Sequence, residues 1–197
     1  MRKLRIFEHI SLDGVIQIGT GGPQDGDFPY GDWTAPYRSP AGLATLLELY
    51  GESFDLLLGR RTYDAWSGYW PNSPRSPMAD RLNAATKHVV THRPESLQWG
   101  PVQGVGPDLV EGVRRIKEKS GPDLILSGST TLTSALLEHG LADELVLLVN
   151  PVLLGKGKRL FADNTPPRAF VLESSKATPT GILVNVYNAG GPLQNLN

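Results

Sequence analysis

The stretch Phe54-Asp55-Leu56-Leu57-Leu58-Gly59-Arg60-Arg61-Thr62 decides the fold. Its apolar run lacks alternation, which reads as a strand covered on both faces, and it stops at a glycine where a helix over residues 60–66 begins. The same order returns in Asp123-Leu124-Ile125-Leu126-Ser127-Gly128, followed by a helix over 130–139 with Gly140 as its C-cap. A strand over 87–91, rich in β-branched residues, ends in Thr91-His92-Arg93-Pro94. Strand followed by helix, repeated, marks an α/β domain.

Outward from these segments, residues 4–10 read as a first strand that runs into the turn Asp13-Gly14, with Glu8 and His9 as unusual polar members. Residues 17–41 form a long loop carrying Trp33 and Tyr37, which either cover a ring-shaped ligand or anchor the loop to the core. Helices are expected over 41–50, 78–85 and 108–119, and strands over 144–149, 170–173 and 182–187. The predicted architecture is one domain over residues 1–189, with a disordered tail over 190–197. Its sheet is mixed and mostly parallel, has helices on both faces, and ends in an antiparallel carboxy-terminal strand pair.

Composition narrows the chemistry. The 197 residues include no cysteine, which excludes disulfides, thiolate catalysis and cysteine-bound metals. A formal net charge of −1 gives no global attraction to nucleic acid or acidic membranes. The basic start Met1-Arg2-Lys3-Leu4-Arg5 precedes too short an apolar run for a signal peptide or a membrane span, so a cytoplasmic protein is expected. The four histidines, His9, His88, His92 and His139, show no metal-ligand spacing, and no metal is expected.

The chemistry is expected beyond the carboxyl ends of the strands. Three ends there share one character: Gly59-Arg60-Arg61-Thr62, Thr91 with Arg93, and Gly128-Ser129-Thr130-Thr131. A helix N-terminus offers unpaired amides and partial positive charge, glycine lets backbone approach closely, and arginine supplies a rigid donor fork. Together they describe a surface for phosphates. Each glycine is equally compatible with a plain turn and each arginine with a solvated helix residue, and the Gly-x-Gly-x-x-Gly fingerprint of ordinary dinucleotide folds is absent.

Ser11-Leu12-Asp13-Gly14-Val15-Ile16, Leu57-Leu58-Gly59-Arg60-Arg61-Thr62-Tyr63, Leu126-Ser127-Gly128-Ser129, Ala142-Asp143-Glu144-Leu145 and Pro151-Val152-Leu153-Leu154-Gly155-Lys156-Gly157 occur in that order. This series resembles the dihydrofolate reductase-like superfamily, and especially the carboxy-terminal reductase domain of riboflavin deaminase-reductases and its stand-alone bacterial relatives. The resemblance covers residues 4–188. It implies an NADPH-dependent oxidoreductase acting on a pterin-like or aminopyrimidine substrate, of the 5-amino-6-(5-phosphoribosylamino)uracil reductase type, and a homodimer, to which the apolar residues 145–154 also point. It further implies that Gly59, Arg60, Arg61 and Thr62 meet the cofactor phosphates. Thr91 and Arg93 would lie at the adenosine end, and Gly128, Ser129, Thr130, Thr131 and Leu132 would receive the pyrophosphate.

Hydride transfer needs a group that fixes or protonates the substrate. Asp13 is the first candidate, at the mouth of the first strand, beside Gly14, Trp33 and Tyr37 as substrate contacts. Glu8 is the second, because a carboxyl in a covered strand would hold its proton. A non-catalytic module that binds NADP(H) or a heterocycle is the alternative.

Overall fold

The computed structural model describes residues 1–19, 26–163 and 165–193. Eight strands form one sheet in the order β4-β3-β2-β5-β1-β6-β8-β7. They are β1 (Leu4–Ile10), β2 (Asp55–Gly59), β3 (Lys87–Val90), β4 (Val102–Gly104), β5 (Leu124–Leu126), β6 (Glu144–Val149), β7 (Arg168–Ala177) and β8 (Leu183–Pro192). All pairs from β4 to β6 are parallel, and β6–β8 and β8–β7 are antiparallel. The five helices are α1 (Pro40–Tyr50), α2 (Arg60–Tyr69), α3 (Pro77–Ala84), α4 (Leu109–Glu118) and α5 (Thr130–Glu138). The expected dihydrofolate reductase-like α/β architecture is the one observed.

Local chemistry explains where the helices start. Ser39, Ser76 and Asp108 cap α1, α3 and α4 by accepting the amides of Gly42, Ala79 and Glu111 at 3.1, 3.2 and 2.9 Å. Proline opens both α1 and α3, where its missing N–H removes no helix bond. Two cores form, one on each face of the sheet. Tyr50, Tyr63 and Leu82 from α1, α2 and α3 pack with Phe7, Leu56, Leu58 and Ile125. On the other face Val113 and Ile116 of α4 and Leu132 and Leu136 of α5 pack with Leu4, Ile6, Leu57 and Leu126. Each fully buried side chain of this kind stabilises the fold by about 1.5–3 kcal/mol.

Three expectations change. The short edge strand β4 was not foreseen; only Val102-Gln103-Gly104 pair with β3, too few residues to leave a pattern. The carboxy-terminal hairpin is longer than predicted, because Glu173-Ser174-Ser175-Lys176 continues β7 with both faces exposed and its register shifted by bulges. Gly191 and Pro192, expected in the tail, therefore pair with Ala169 and Arg168 of β7; residues 194–197 lie outside the described residues. Finally, β6 lies between β1 and β8 with Leu145, Val146 and Leu148 buried, so the monomer core accounts for the apolar run of residues 145–149. Among the described residues no helix is long and apolar enough to cross a membrane.

An ionic knot closes the amino edge of the sheet. The buried Arg2 guanidinium donates to Asp55 and to the carbonyl of Pro122, and His88 Nε2 lies 3.3 Å from the same carboxylate. Burial pushes the His88 pKa down, so its ring stays neutral and the charge of Asp55 is met by Arg2. Asp55→Ala would leave Arg2 buried without its counter-charge, and denaturant unfolding is expected to show a loss of about 3–5 kcal/mol. A loss under about 1 kcal/mol would contradict this account of the edge.

Candidate active site

The sheet register aligns the expected site residues. Ile6 and Leu57 both pair with Leu126, so β5 lies between β1 and β2, and Glu8, Gly128 and Gly59 each lie two residues past this row along their chains. The helix after β2 packs on one face and the helix after β5 on the other. Neighbouring parallel strands whose helices leave on opposite faces open a crevice at their carboxyl ends.

Two glycines packed against neighbouring side chains close the floor of this crevice. A Cβ on Gly59 would meet Ser129 Oγ at 3.0 Å and Ser129 Cβ at 3.3 Å. One on Gly128 would meet Thr62 Oγ1 at 2.6 Å, and Gly128 also holds φ +71°, which side chains rarely adopt. Ser129 follows in the same left-handed region, at φ 70°, which costs a non-glycine residue about 1–2 kcal/mol. Its hydroxyl caps α5 by accepting the Leu132 amide at 3.4 Å. Leu132 itself is buried in the core beneath the turn. Helix geometry leaves the first amides of α5, at Thr130 and Thr131, without intrahelical partners.

The three expected strand ends form one rim. Arg60 Nε donates to both carboxylate oxygens of Asp64 at 2.8 and 2.9 Å. Its Nη1 donates to Ser96 Oγ at 2.6 Å, and to Thr91 Oγ1 and the Arg93 carbonyl at 3.4 Å. Thr91 Oγ1 also accepts the Arg93 amide at 3.1 Å. Arg60 thus ties the end of β2 to the end of β3 through its Nε and Nη1. Arg61 and Arg93 are exposed, and among the described residues neither guanidinium forms an ion pair.

Glu8 lies beneath the turn. It is only 6 % exposed, and its carboxyl accepts the amide of Gly128. Burial pushes its pKa up to about 8 while the amide pulls the other way, so the group is a neutral acid at pH 7.

Asp13 has the opposite character. Its carboxylate accepts Ser11 Oγ at 2.7 Å and the amides of Leu154 and Gly155 at 3.1 and 2.8 Å. The Ser11 hydroxyl, with those amides, holds its pKa below the usual carboxylate range. The Gly14 carbonyl accepts the Leu160 amide at 2.9 Å, and Arg159 Nε donates to the Asp13 carbonyl at 3.0 Å. The carbonyl of Arg159 in turn accepts Thr130 Oγ1 at 2.5 Å, which joins this brace to the start of α5. Arg159 was not singled out in the sequence, where it follows Gly155-Lys156-Gly157-Lys158 as one more cation.

Trp33 takes the anchoring role of its two possible ones. It is 7 % exposed, donates its indole N–H to the Gln17 carbonyl at 2.6 Å, and packs with Val15, Phe28 and Leu154. Tyr37 is half-buried; its carbonyl accepts Thr180 Oγ1 at 2.7 Å and its phenol lies 3.5 Å from the Pro151 carbonyl. Residues 20–25 of the same loop lie outside the described residues.

At the end of β1, His9 Nδ1 lies 3.3 Å from the Asn150 amide nitrogen. An amide donates there, so Nδ1 is unprotonated and Nε2 carries the hydrogen, and burial lowers the His9 pKa to about 4. Asn150 is fully buried and donates to the Leu148 carbonyl at 2.8 Å, and among the described residues its Oδ1 has no partner. Its one sequence signal was an amide closing an apolar strand.

The Gly128–Thr62 contact carries a sharp expectation. Gly128→Ala should displace the turn, since the clash adds to an unfavourable φ, and cost about 1–3 kcal/mol by thermal unfolding. An unchanged melting temperature would contradict the described approach.

The chain is similar to known proteins over nearly its whole length. Residues 2–184 match the family model described as RibD C-terminal domain. Two uncharacterized proteins of Bacillus subtilis (strain 168) align with it. YyaP is 27 % identical over 140 residues, 69 % of this chain and 74 % of that protein. YwjB is 26 % identical over 175 residues, 89 % and 91 % of the two chains. Among solved structures, a Shewanella sp. PV-4 protein assigned to riboflavin biosynthesis superposes with a TM-score of 0.65 at 21 % identity, covering 95 % of this chain and 98 % of that one. A pyrimidine reductase-like protein of Corynebacterium diphtheriae gives 0.60 at 14 %, covering 98 % and 93 %. Those two likenesses are of fold; it is the family match over residues 2–184 that assigns the sequence, and the chain belongs to the RibD C-terminal domain family.

Proposed function

We propose that this protein is an NADPH-dependent reductase of a small pterin-like or aminopyrimidine substrate, of the 5-amino-6-(5-phosphoribosylamino)uracil reductase type. The observation that carries the reading is the close packing of the Gly59 and Gly128 turns at the switch point of the sheet, where a Cβ would strike Ser129 or Thr62 and which sets the start of α5 beside the start of α2. The residues fit a dinucleotide. The first amides of α5, with Ser129, Thr130 and Thr131, suit a pyrophosphate; Gly59 and Thr62 shape the wall; Arg61 and Arg93 are cations free to meet further phosphate oxygens. When bound, the cofactor supplies the hydride.

The chain's own residues then bind, orient and hold a proton. Both oxygens of Asp13 are engaged, so this residue fixes the loop bordering the substrate instead of delivering a proton. Glu8 keeps its proton at pH 7 and accepts the Gly128 amide, so on this reading it supports the phosphate turn instead of protonating the substrate. Gly14 lets the loop turn at φ +86°, Trp33 holds the loop down, and Tyr37 and the Nε2–H of His9 are the substrate contacts on this reading. The enzyme would be cytoplasmic.

We also propose a homodimer through the outer strand β7, where Val171 and Leu172 are exposed beside one another. Among the described residues no strand pairs with the far edge of β7, and an open strand edge is a template for a second chain. Sedimentation at micromolar concentration is expected to give the mass of two chains, and a monomer would count against the proposal.

The cofactor reading is tested by calorimetry with NADPH and NADH. Arg93→Ala and Arg60→Ala are each expected to weaken NADPH roughly tenfold or more while NADH changes little, Arg60 through its hold on the Thr91–Arg93 segment. Equal effects on both cofactors would reject the phosphate assignment. Loss of nicotinamide absorbance with a panel of pterins and aminopyrimidines separates a reductase from a protein that only binds.

A further inference from the structure

We infer that Glu8 is a positioning residue for the dinucleotide: only its neutral form lets the Gly128–Ser129 turn accept the pyrophosphate, so cofactor binding is coupled to one proton. This rests on the dinucleotide reading above and deepens it. The inference starts from geometry. Glu8 is buried in a central strand, and its described partner is the amide of Gly128, one residue before the cap of α5. A carboxylate at that position would place a negative charge directly under the turn that faces the phosphates. The two anions would share a low-dielectric site without an intervening cation.

The surroundings offer Glu8 little to offset that charge. Leu147 of β6 stands opposite it, Leu126 closes β5, and residues 127–132 carry no charge. The phenol of Tyr50 from α1 feels Glu8, and burial keeps that phenol neutral well above physiological pH. Arg5, on the same strand, donates to the carbonyls of Leu49 and Tyr50. Arg60 and Arg61 lie across the Thr62–Gly128 contact, and Arg60 is already held by Asp64. Arg159 reaches α5 through its carbonyl, while its guanidinium turns to Asp13. Among the described residues none of these cations pairs with Glu8, and burial raises its pKa to about 8.

The sign follows from linkage. A bound pyrophosphate raises the Glu8 pKa further, so above pH 8 binding must take up a proton and affinity falls, by up to about tenfold per pH unit. Ionisation of the phosphates themselves acts in the opposite direction, so it cannot imitate this fall.

The test is calorimetric titration of the full chain with NADPH and, separately, inorganic pyrophosphate, from pH 6.5 to 10 and in buffers of different ionisation enthalpy. Wild-type protein is expected to lose affinity for both above pH 8 and to take up close to one proton on binding at pH 9. Glu8→Gln keeps an oxygen for the Gly128 amide and cannot ionise; it should bind both at pH 7 and lose the alkaline fall. A flat wild-type profile, or the same fall in the variant, would overturn the inference while leaving the reductase reading intact. A proton-coupled fall with no NADPH oxidation across the substrate panel would sustain the inference and sink the reductase. If Glu8→Gln does not fold, proton uptake by wild type and the Glu8 carboxyl titration followed by carbon NMR decide alone. No binding of either probe at pH 6.5 would overturn both.

Discussion

The turns at the ends of β2 and β5 can press this closely only because each offers a glycine to a side chain of the other, Gly59 to Ser129 and Gly128 to Thr62. Everything at the carboxyl edge is arranged around this approach. It brings the start of α2 against the start of α5, although the two helices lie on opposite faces of the sheet. A Cβ at either glycine would wedge the crevice, so the contact sets the width of the space above it. The same contact explains why Ser129 is held in a left-handed conformation. Its hydroxyl must cap α5 from a position dictated by the neighbouring turn.

Charge is divided around this floor by solvent exposure. Glu8 and His9 are adjacent on β1, and burial drives both toward their neutral forms, an acid that keeps its proton and a base that refuses one. Asp13, three residues past the strand, is held ionised by a hydroxyl and two amides, and with them it locks the loop after β6. Arg60 organises the rim through Asp64 and Ser96, and among the described residues the exposed Arg61 and Arg93 form no ion pair. A site built this way is cationic at its margin and uncharged at its base, a distribution suited to an anionic ligand carrying an uncharged ring.

Much of this was legible in the sequence, because glycine after an apolar strand and before a helix has few structural meanings. Apart from β4, the strands and helices from residue 4 to 149 follow from apolar runs, prolines and caps, and the reading of a rim suited to phosphates rests on what those strand ends carry. Other features were hidden for physical reasons. The polar outer half of β7 has no core to face, so no alternation marks it. Three residues of β4 are too few for any period. Arg60 looked like a free phosphate ligand until Asp64 and Ser96 supplied partners, one of them 36 residues away. Asp13 and Glu8 could be ranked only by burial and hydrogen bonding, which depend on segments more than 100 residues distant.

The central claim is that the turns at Gly59 and Gly128 together receive a phosphorylated dinucleotide. Amide-resolved NMR during titration with NADPH tests it most directly. The account predicts that the largest shifts fall on residues 59–62 and 128–132, with smaller ones at 91–93. Shifts confined to other surfaces, or none at saturating concentration of folded protein, would contradict it.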